Sequence, residues 1–482
     1  MKVVLIQPCL SLKERYGKAL GKVGPSCEPL GLAYLAAAIR NNDYEVEIID
    51  ASALNYTNKQ LIEHLKKSKP DLVGISILTP MYLRAKETIH NIKKSIKNIK
   101  IVVGGPHVTV FPKLTLEENP EIDFAIYGEA EHTIVEVLDA LEKKSSLKKI
   151  KGLVLRDKDK VIINPAREII KDIDTLSFPA RDLLPMKIYR PAPTYFNKLP
   201  SYLILTSRGC PYNCSYCSKV MGNVYRAHSV KRVIEEMELL IDIYNAKEII
   251  FRDDTFTVNR QRVEDLCDEI IKRKIHEKIK WTCMSRVNLV DLELLQKMKK
   301  AGCWSMHFGI ESGSQRLLDL IQKGIKLEQS RNAIKWARKA GIETKAFFMI
   351  GLPTETKEES LATIKFSKEL DPDWVQFTIT TPYPGTKLYN ITKKDGTLKS
   401  FKWEDYQTWA GWSNKDLVYV PEGRNADELK ELQRYAMRSF YFRPKFILRQ
   451  IKNINHKNIK LYLNGFYALL KSGIKKCVSK RC

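Results

Sequence analysis

Thr206-Ser207-Arg208-Gly209-Cys210-Pro211-Tyr212-Asn213-Cys214-Ser215-Tyr216-Cys217 holds three of the chain's ten cysteines within eight residues, at the spacing C-x3-C-x2-C. Three thiolates on one tight loop can hold three corners of a cubic [4Fe-4S] cluster. The fourth iron is then left without a protein ligand, and an open metal position is where an external molecule binds and reacts. A zinc site usually wants a fourth Cys or His close by, and the nearest candidate is His228. Buried, inert thiols are the plain alternative.

Outward from this stretch the pattern is strand and helix in alternation. Apolar, β-branched runs at Tyr202–Thr206, Glu248–Arg252, Trp281–Ser285, Ser305–Ile310, Lys345–Ile350 and Trp374–Thr380 read as strands. Amphipathic helices fill the gaps, among them Val230–Tyr244, Arg262–Arg273, Leu292–Lys300 and Leu327–Ala340. Six strand–helix units predict a partial (β/α)6 barrel over residues 201–395, with its active site at the carboxyl ends of the strands. The polar motifs fall there: the cysteine loop, Asp253-Asp254, Arg286, and Glu311-Ser312. Each alone reads as a cap or a surface ion pair. Together they set carboxylates, an arginine and a hydrogen-bonding hydroxyl on one rim.

The spacing of Cys210, Cys214 and Cys217, with Tyr216 before the last cysteine, resembles the signature loop of the radical S-adenosylmethionine enzymes. The runs Arg252–Phe256, Gly309–Ser314 and Gly351–Thr356 look like those of the cobalamin-dependent branch. The resemblance implies that the open iron chelates S-adenosylmethionine, and that one electron from the cluster releases a 5′-deoxyadenosyl radical. That electron would come from a reductase such as flavodoxin or ferredoxin. It further implies that Asp253 and Asp254 meet the methionine amino group, that Glu311 lies near the methionine or ribose part, and that the Tyr216 backbone lies near adenine. Arg286 and Ser312 are placed with them as cofactor-binding residues.

The first 145 residues carry five strand-like runs, Val3–Ile6, Val46–Asp50, Leu72–Leu78, Ile101–Gly104 and Phe124–Tyr127. Helical patterns lie between them at Leu30–Arg40, Asn58–Ser68, Arg84–Ile96 and Glu131–Glu142. The alternation predicts a doubly wound parallel, Rossmann-like sheet, with ligands beyond the carboxyl ends of its strands. Ser76-x-Leu78 and Gly104-Gly105 at those ends resemble the motifs that line the nucleotide slot of cobalamin-binding domains, and Glu129 stands at the next strand end. The third motif of such domains, with its loop histidine, is absent between Gln7 and Gly24. A bound cobalamin would therefore have no axial histidine from that loop. His107 reads as a loop histidine bonded to backbone.

Residues 146–200 read as a connector made of a hairpin over Leu153–Ile163 and proline-punctuated segments at 178–185 and 191–193. Residues 396–482 read as a small helical region with an aromatic cluster of Trp403, Tyr406, Trp409 and Trp412. Its helix over Glu428–Gln450 should break at Pro444. The net charge is +25, and after Glu431 thirteen Lys and Arg occur with no acid. Ile459, Leu463, Phe466, Tyr467 and Leu470 share one helical face flanked by lysines, a pattern that fits an anionic membrane surface. No run is long enough to span a bilayer, and no RNA-binding module accompanies the charge. The thiols point to a reducing cytoplasm.

The expected activity is cobalamin-dependent methylation of an unactivated carbon in a small-molecule or lipid-like substrate. Ring closure or carbon–carbon coupling, as in tetrapyrrole and lipid pathways, is the alternative within the class. Methylthiolation would need three N-terminal cysteines for a second cluster, and only Cys9 and Cys27 are present. A non-catalytic iron–sulfur carrier or sensor would close all four corners with cysteine, and the remaining cysteines are scattered.

Overall fold

The computed structural model describes residues 1–10, 25–158, 160–406 and 416–451. The N-terminal sheet contains β1 (Lys2–Gln7), β2 (Glu45–Asp50), β3 (Leu72–Ser76), β4 (Lys100–Gly104), β5 (Phe124–Ile126), β6 (Leu153–Asp157) and β7 (Lys160–Ile163). Their spatial order is β2-β1-β3-β4-β5-β6-β7. The first five are parallel, and the order reverses beside β1, which opens a crevice at the carboxyl ends of β1 and β3. Helices Leu30–Arg40 and Glu131–Glu142 cover one face, while Asn58–Ser68 and Tyr82–Ser95 cover the other. The central strands β1, β3 and β4 are therefore apolar through their middles, as a sheet buried on both sides requires, whereas the edge strand β2 carries Glu45, Glu47 and Asp50.

The hairpin expected in the connector instead belongs to this sheet. β6 pairs antiparallel with β5 through Phe124–Leu155 and Ile126–Leu153, and β7 pairs with β6. β5 is three residues long, and the hairpin covers what would otherwise be an open edge.

β8 (Ser201–Ile204) begins the second sheet. Two short strands follow, β9 (Ser207–Arg208) and β10 (Arg226–Ala227), which pair with each other at the base of the cysteine loop. Then come β11 (Glu248–Phe251), β12 (Lys280–Ser285), β13 (Cys303–Glu311), β14 (Glu343–Ile350) and β15 (Trp374–Ile379). β8 and β11–β15 are parallel, lie in chain order, and do not close from β15 back to β8. Met306, Phe308, Ala346 and Phe348 face the outer helices and are fully buried. The Met and Phe side chains among them contribute about 1.5–3 kcal/mol each on burial. The alternate residues face the lumen.

Helix starts are chosen by caps. Ser229, Asn259, Asp291 and Ser314 each accept the backbone N–H three residues on, and Thr356 with Glu359 forms a capping box. The C-terminal helix Ala426–Tyr441 seals the open side of the barrel. Gln433 donates to the Phe377 carbonyl at 2.9 Å, and Tyr441 bonds both the N–H and the C=O of Val375. These are backbone groups that no further strand pairs. The expected break at Pro444 is present, and the next helix is Pro444–Ile451. Part of the basic excess is structural, because Arg443 and Lys445 pair with Asp371 at 2.8 and 2.9 Å. Trp409, Trp412 and the amphipathic pattern at 459–470 lie outside the described residues. Among the described residues no helix is long and apolar enough to cross a membrane.

Candidate active site

The cysteine loop leaves β9 at Arg208 and returns at Arg226 of β10. Gly209 has φ +81°, and a Cβ there would fall 2.2 Å from the Val224 carbonyl oxygen, so only glycine lets the loop close on itself. Cys210 N–H donates to the Gly222 carbonyl, and Ser215 N–H to the Ile321 carbonyl. Cys214 is buried, Cys210 half-buried and Cys217 exposed, and all three are free thiols. Among the described residues no three His, Cys, Asp or Glu gather closely enough for a single metal ion. A cubane asks for one cysteine per iron rather than convergence on one ion, so the loop fits a [4Fe-4S] cluster better than zinc. His228 is also committed elsewhere, with Nδ1 on Asp174 at 2.9 Å.

Arg286 does not wait on the rim for a carboxylate. It is buried, its Nη1 lies 3.4 Å from Cys214 Sγ, and its guanidinium stacks 3.8 Å over the Tyr212 ring. Its other nitrogens hold the carbonyls of Lys323 and Gly324 and the side chain of Asn288. It places positive charge beside the Cys214 sulfur, where it would tune a cluster held by that thiolate rather than bind a zwitterion.

The adjacent aspartates divide. Strand alternation turns Asp253 away from the lumen and Asp254 into it. Asp253 is 1% exposed. It accepts from the backbone N–H of Thr206 and Ser207 at 2.6 and 3.2 Å, and from the Thr206 hydroxyl. Burial pushes its pKa up, and the Arg262 guanidinium with the Thr206 and Ser207 donors works against that. Its carboxylate is thus spent on fixing the entrance to the cysteine loop. The reading of Asp253 as an amino-group partner gives way to a positioning role. Asp254 is exposed on the rim, and no side-chain hydrogen bond engages it among the described residues. Ser312 is fully buried, bonded to Thr363 Oγ1 and accepting from Ser314 N–H, so it too is structural.

Glu311 sits at φ +69°, a conformation that costs a non-glycine residue energy and marks a constrained site. Its Oε1 accepts from Tyr216 Oη and from Lys323 Nζ, each at 2.8 Å. Burial, then the Glu311 charge, pushes the Tyr216 hydroxyl well above its ordinary pKa, so it stays a donor. The trio fixes Tyr216 within the loop. Lys323 follows a short helix in an irregular turn, where no sequence pattern singles it out.

On the N-terminal sheet Ser76 and Gly104 stand at neighbouring strand ends, and the two motifs are joined. Ile77 N–H donates to the Gly104 carbonyl at 2.8 Å, and His107 N–H to the Ile77 carbonyl at 3.1 Å. Gly105 has φ +100°, and a Cβ there would lie 3.0 Å from Ile77 O and 3.2 Å from Ser76 Oγ. Ser76, Leu78, Gly104 and Gly105 are all partly exposed, so this paired rim can receive a ligand. His107 cannot serve as an axial ligand in this arrangement. It is 1% exposed, bonds the Thr79 hydroxyl rather than backbone, and packs among Tyr82, Phe111 and Trp403.

Glu129 does not face the ligand crevice. It accepts from Arg208 Nη1 at 2.9 Å, from Arg226 Nη1 at 2.9 and 2.8 Å, and from Ile170 N–H at 2.8 Å. Glu131 takes the other Arg208 nitrogen at 2.6 Å. All four side chains are buried. The base of the cysteine loop is thereby clamped to the N-terminal sheet.

The profile described as "B12 binding domain" matches residues 17–138, and that of the "Radical SAM superfamily" matches residues 204–367. An uncharacterised methyltransferase of Pyrococcus horikoshii is 41% identical over 468 residues, covering 96% of this chain and 98% of that protein. The anaerobic magnesium-protoporphyrin IX monomethyl ester cyclase of Cereibacter sphaeroides is 31% identical over 398 residues, covering 81% of this chain and 63% of that protein. In three dimensions the chain is similar to the cobalamin-dependent S-adenosylmethionine radical enzyme OxsB, solved with aqua-cobalamin and S-adenosylmethionine bound. The TM-score is 0.77 at 19% identity, over 98% of this chain and 71% of that one.

Proposed function

The chain belongs to the radical S-adenosylmethionine enzymes that carry a cobalamin-binding domain, and from that premise we propose that it methylates an unactivated carbon of a small-molecule or lipid-like substrate. The family's cofactors are a [4Fe-4S] cluster, S-adenosylmethionine and cobalamin. When bound, they supply hydrogen-atom abstraction from carbon and a methyl donor. The observation that carries the reading is the clamp of Glu129 and Glu131 on Arg208 and Arg226, which ties the cysteine loop to the sheet bearing the cobalamin motifs. A reaction that uses both cofactors on one substrate needs them held in fixed relation.

In this reading Cys210, Cys214 and Cys217 hold three irons of the cluster. Arg286 sets the charge around Cys214, and Glu311 with Lys323 orients Tyr216. Asp254, the carboxylate left without a side-chain partner on the rim, receives the α-amino group of S-adenosylmethionine. Ser76, Leu78, Gly104 and Gly105 receive the cobalamin tail. The electron comes from a small reductase such as flavodoxin or ferredoxin. The basic segment beyond Ile451 is assigned to contact with an anionic membrane surface.

Ring closure is the second reading, favoured by the 31% identity to the cyclase. The two are separated by anaerobically reconstituted protein given S-adenosylmethionine labelled in its methyl group. Methylation predicts 5′-deoxyadenosine together with label in bound cobalamin and in product. 5′-Deoxyadenosine without labelled cobalamin moves the assignment to cyclisation. Absence of 5′-deoxyadenosine removes the radical reading.

A further inference from the structure

At the level of Lys345 and His307 the barrel lumen carries positive charge that no carboxylate among the described residues pairs; Asp254 faces the lumen only at the rim above. Lys345 on β14 is in register with His307 on β13, and both side chains take the lumen face. Lys345 Nζ donates to Thr194 Oγ1 at 2.9 Å and lies 3.7 Å from the centre of the Tyr195 ring. It is 4% exposed, and the charge acting on it is that of Arg252, of the same sign. His307 is 1% exposed, is held edge-on to Tyr195 at 4.8 Å, and buries Nε2 with no partner. Around them Thr282 Oγ1, Ser305 Oγ and Thr380 Oγ1 are also buried without partners. The two carboxylates at the floor are engaged elsewhere. Glu248 accepts from Asn197 N–H, Lys198 N–H and Trp304 Nε1, and Glu343 from Trp374 Nε1.

Above this level the lumen is open. Arg252 is exposed, and Met284, Gly309, Phe347 and Thr378 toward the carboxyl ends of the strands are partly exposed. A buried ammonium without a carboxylate is costly, and such groups persist where a ligand completes them. Two cations and a donor histidine at the end of an open shaft match an oxyanion in charge and in hydrogen-bonding type.

We propose that this lumen seats an oxyanion group of the substrate, held by Lys345 and Arg252 with His307 Nε2 as a third donor. The proposal rests on the radical-transfer reading only in assigning the oxyanion to the substrate; the site itself stands on the geometry. A carboxylate and a phosphate-type group share the required chemistry.

The test uses the full-length reconstituted protein without S-adenosylmethionine, dialysed to equilibrium against labelled sulfate or labelled acetate in chloride of matched ionic strength. Saturable, single-site binding is expected. Sulfate as the tighter probe marks a phosphate-type group, and acetate a carboxylate. Lys345→Met and Arg252→Gln each weaken binding about tenfold, equivalent to about 1.4 kcal/mol, while Lys231→Met on the outer helix leaves it unchanged. Sulfate does not titrate near neutrality, so its binding weakens as pH rises through about 7 and Lys345 loses its proton. In the wild-type protein, acylation of Lys345 by acetic anhydride, read by mass spectrometry, is slowed by the bound probe. That arm holds even if a variant does not fold. No saturable binding of either anion, binding indifferent to Lys345→Met, or no protection of Lys345 overturns the proposal. Such a failure alongside 5′-deoxyadenosine formation overturns the lumen site alone, and binding without 5′-deoxyadenosine overturns the reaction alone.

Discussion

Replacing Glu129 by Gln should loosen the barrel from the N-terminal sheet. Glu129 accepts three arginine hydrogen bonds and one backbone N–H in a buried setting. Glutamine keeps the shape, removes the charge, and turns one acceptor into a donor facing a guanidinium. Arg208 and Arg226 are then left with Glu131 alone, one uncompensated positive charge in the interior. Removing one partner of a buried pair costs about 3–5 kcal/mol. That is a large part of the roughly 5–15 kcal/mol that stabilises a typical protein. Four of the seven tryptophans, Trp281, Trp304, Trp336 and Trp374, lie in the barrel and none in the first 200 residues, so fluorescence weights the barrel, whereas far-UV circular dichroism reports both sheets. In urea the wild-type protein should lose both signals together. Glu129→Gln should lower the midpoint and separate them. The loop ends are the clamped points, so iron should also leave the reconstituted variant faster. The sign with pH is fixed. Burial raises the Glu129 pKa, but the Arg226 and Arg208 guanidiniums outweigh it and hold the carboxyl below its ordinary range. The clamp's contribution is therefore complete above the unfolded value of about 4.3 and is lost as pH falls through the lower folded value. Glu129→Gln should flatten that acid limb. A midpoint shift worth under about 1 kcal/mol, the size of an exposed pair, with coincident transitions, would refute the clamp.

Cys214→Ser should abolish both the cluster's absorbance and 5′-deoxyadenosine formation, as should the same change at Cys210 or Cys217; iron and sulfide analysis checks it. Arg286→Met should lower the cluster's reduction potential, because a positive charge 3.4 Å from a ligand sulfur favours the reduced state; a potentiometric titration followed by electron paramagnetic resonance reads the shift. Gly105→Ala should cost about 1–3 kcal/mol from its positive φ alone and deplete bound cobalamin, measured by absorbance after anaerobic purification. Lys345→Met should stabilise the protein at and below neutral pH by about 2–4 kcal/mol. Burial, then Arg252, lowers the Lys345 pKa to about 7, below its unfolded value of about 10.4. The wild-type penalty is therefore full below pH 7 and relaxes as pH rises between the two values, and thermal melts across that range should show the variant's advantage shrinking.

What was legible in the sequence follows what local physics writes into it. Period-two and period-3.6 patterns placed helices Leu292–Lys300 and Leu327–Ala340 at their observed bounds, and the six barrel strands within two residues of theirs. The cysteine loop was legible because its chemistry sits within eight residues. The hairpin's attachment to β5 was not, since an edge pairing leaves no local trace. Glu129 and Arg208 are 79 residues apart, and an ion pair across that separation has no pattern. Asp253 and Asp254 read as one pair in the sequence, although strand alternation assigns them to opposite faces and places Arg252 on the side of Asp254. That signal was present in the chain. Lys345 and His307 escape for the opposite reason: a lysine inside a strand reads as an edge or solvent residue until a curved, partly closed sheet gives it an interior.

The two halves of the molecule meet through contacts of different physical kinds. On the side of the cysteine loop the join is ionic, with Glu129 and Glu131 on Arg208 and Arg226. Beside the paired rim of Ser76 and Gly105 it is aromatic, where Trp403 lies 5.2 Å from both His107 and Phe111. Behind them the connector is pinned by the buried Arg181–Glu236 pair and by Tyr189 on Asp50. The ionic join depends on charge and on an exact partner set, whereas the aromatic join rests on packing around a His107 ring that burial keeps neutral down to about pH 4. The cysteine loop is thus set by direction-specific bonds, while the rim of Ser76 and Gly105 is steadied by aromatic packing.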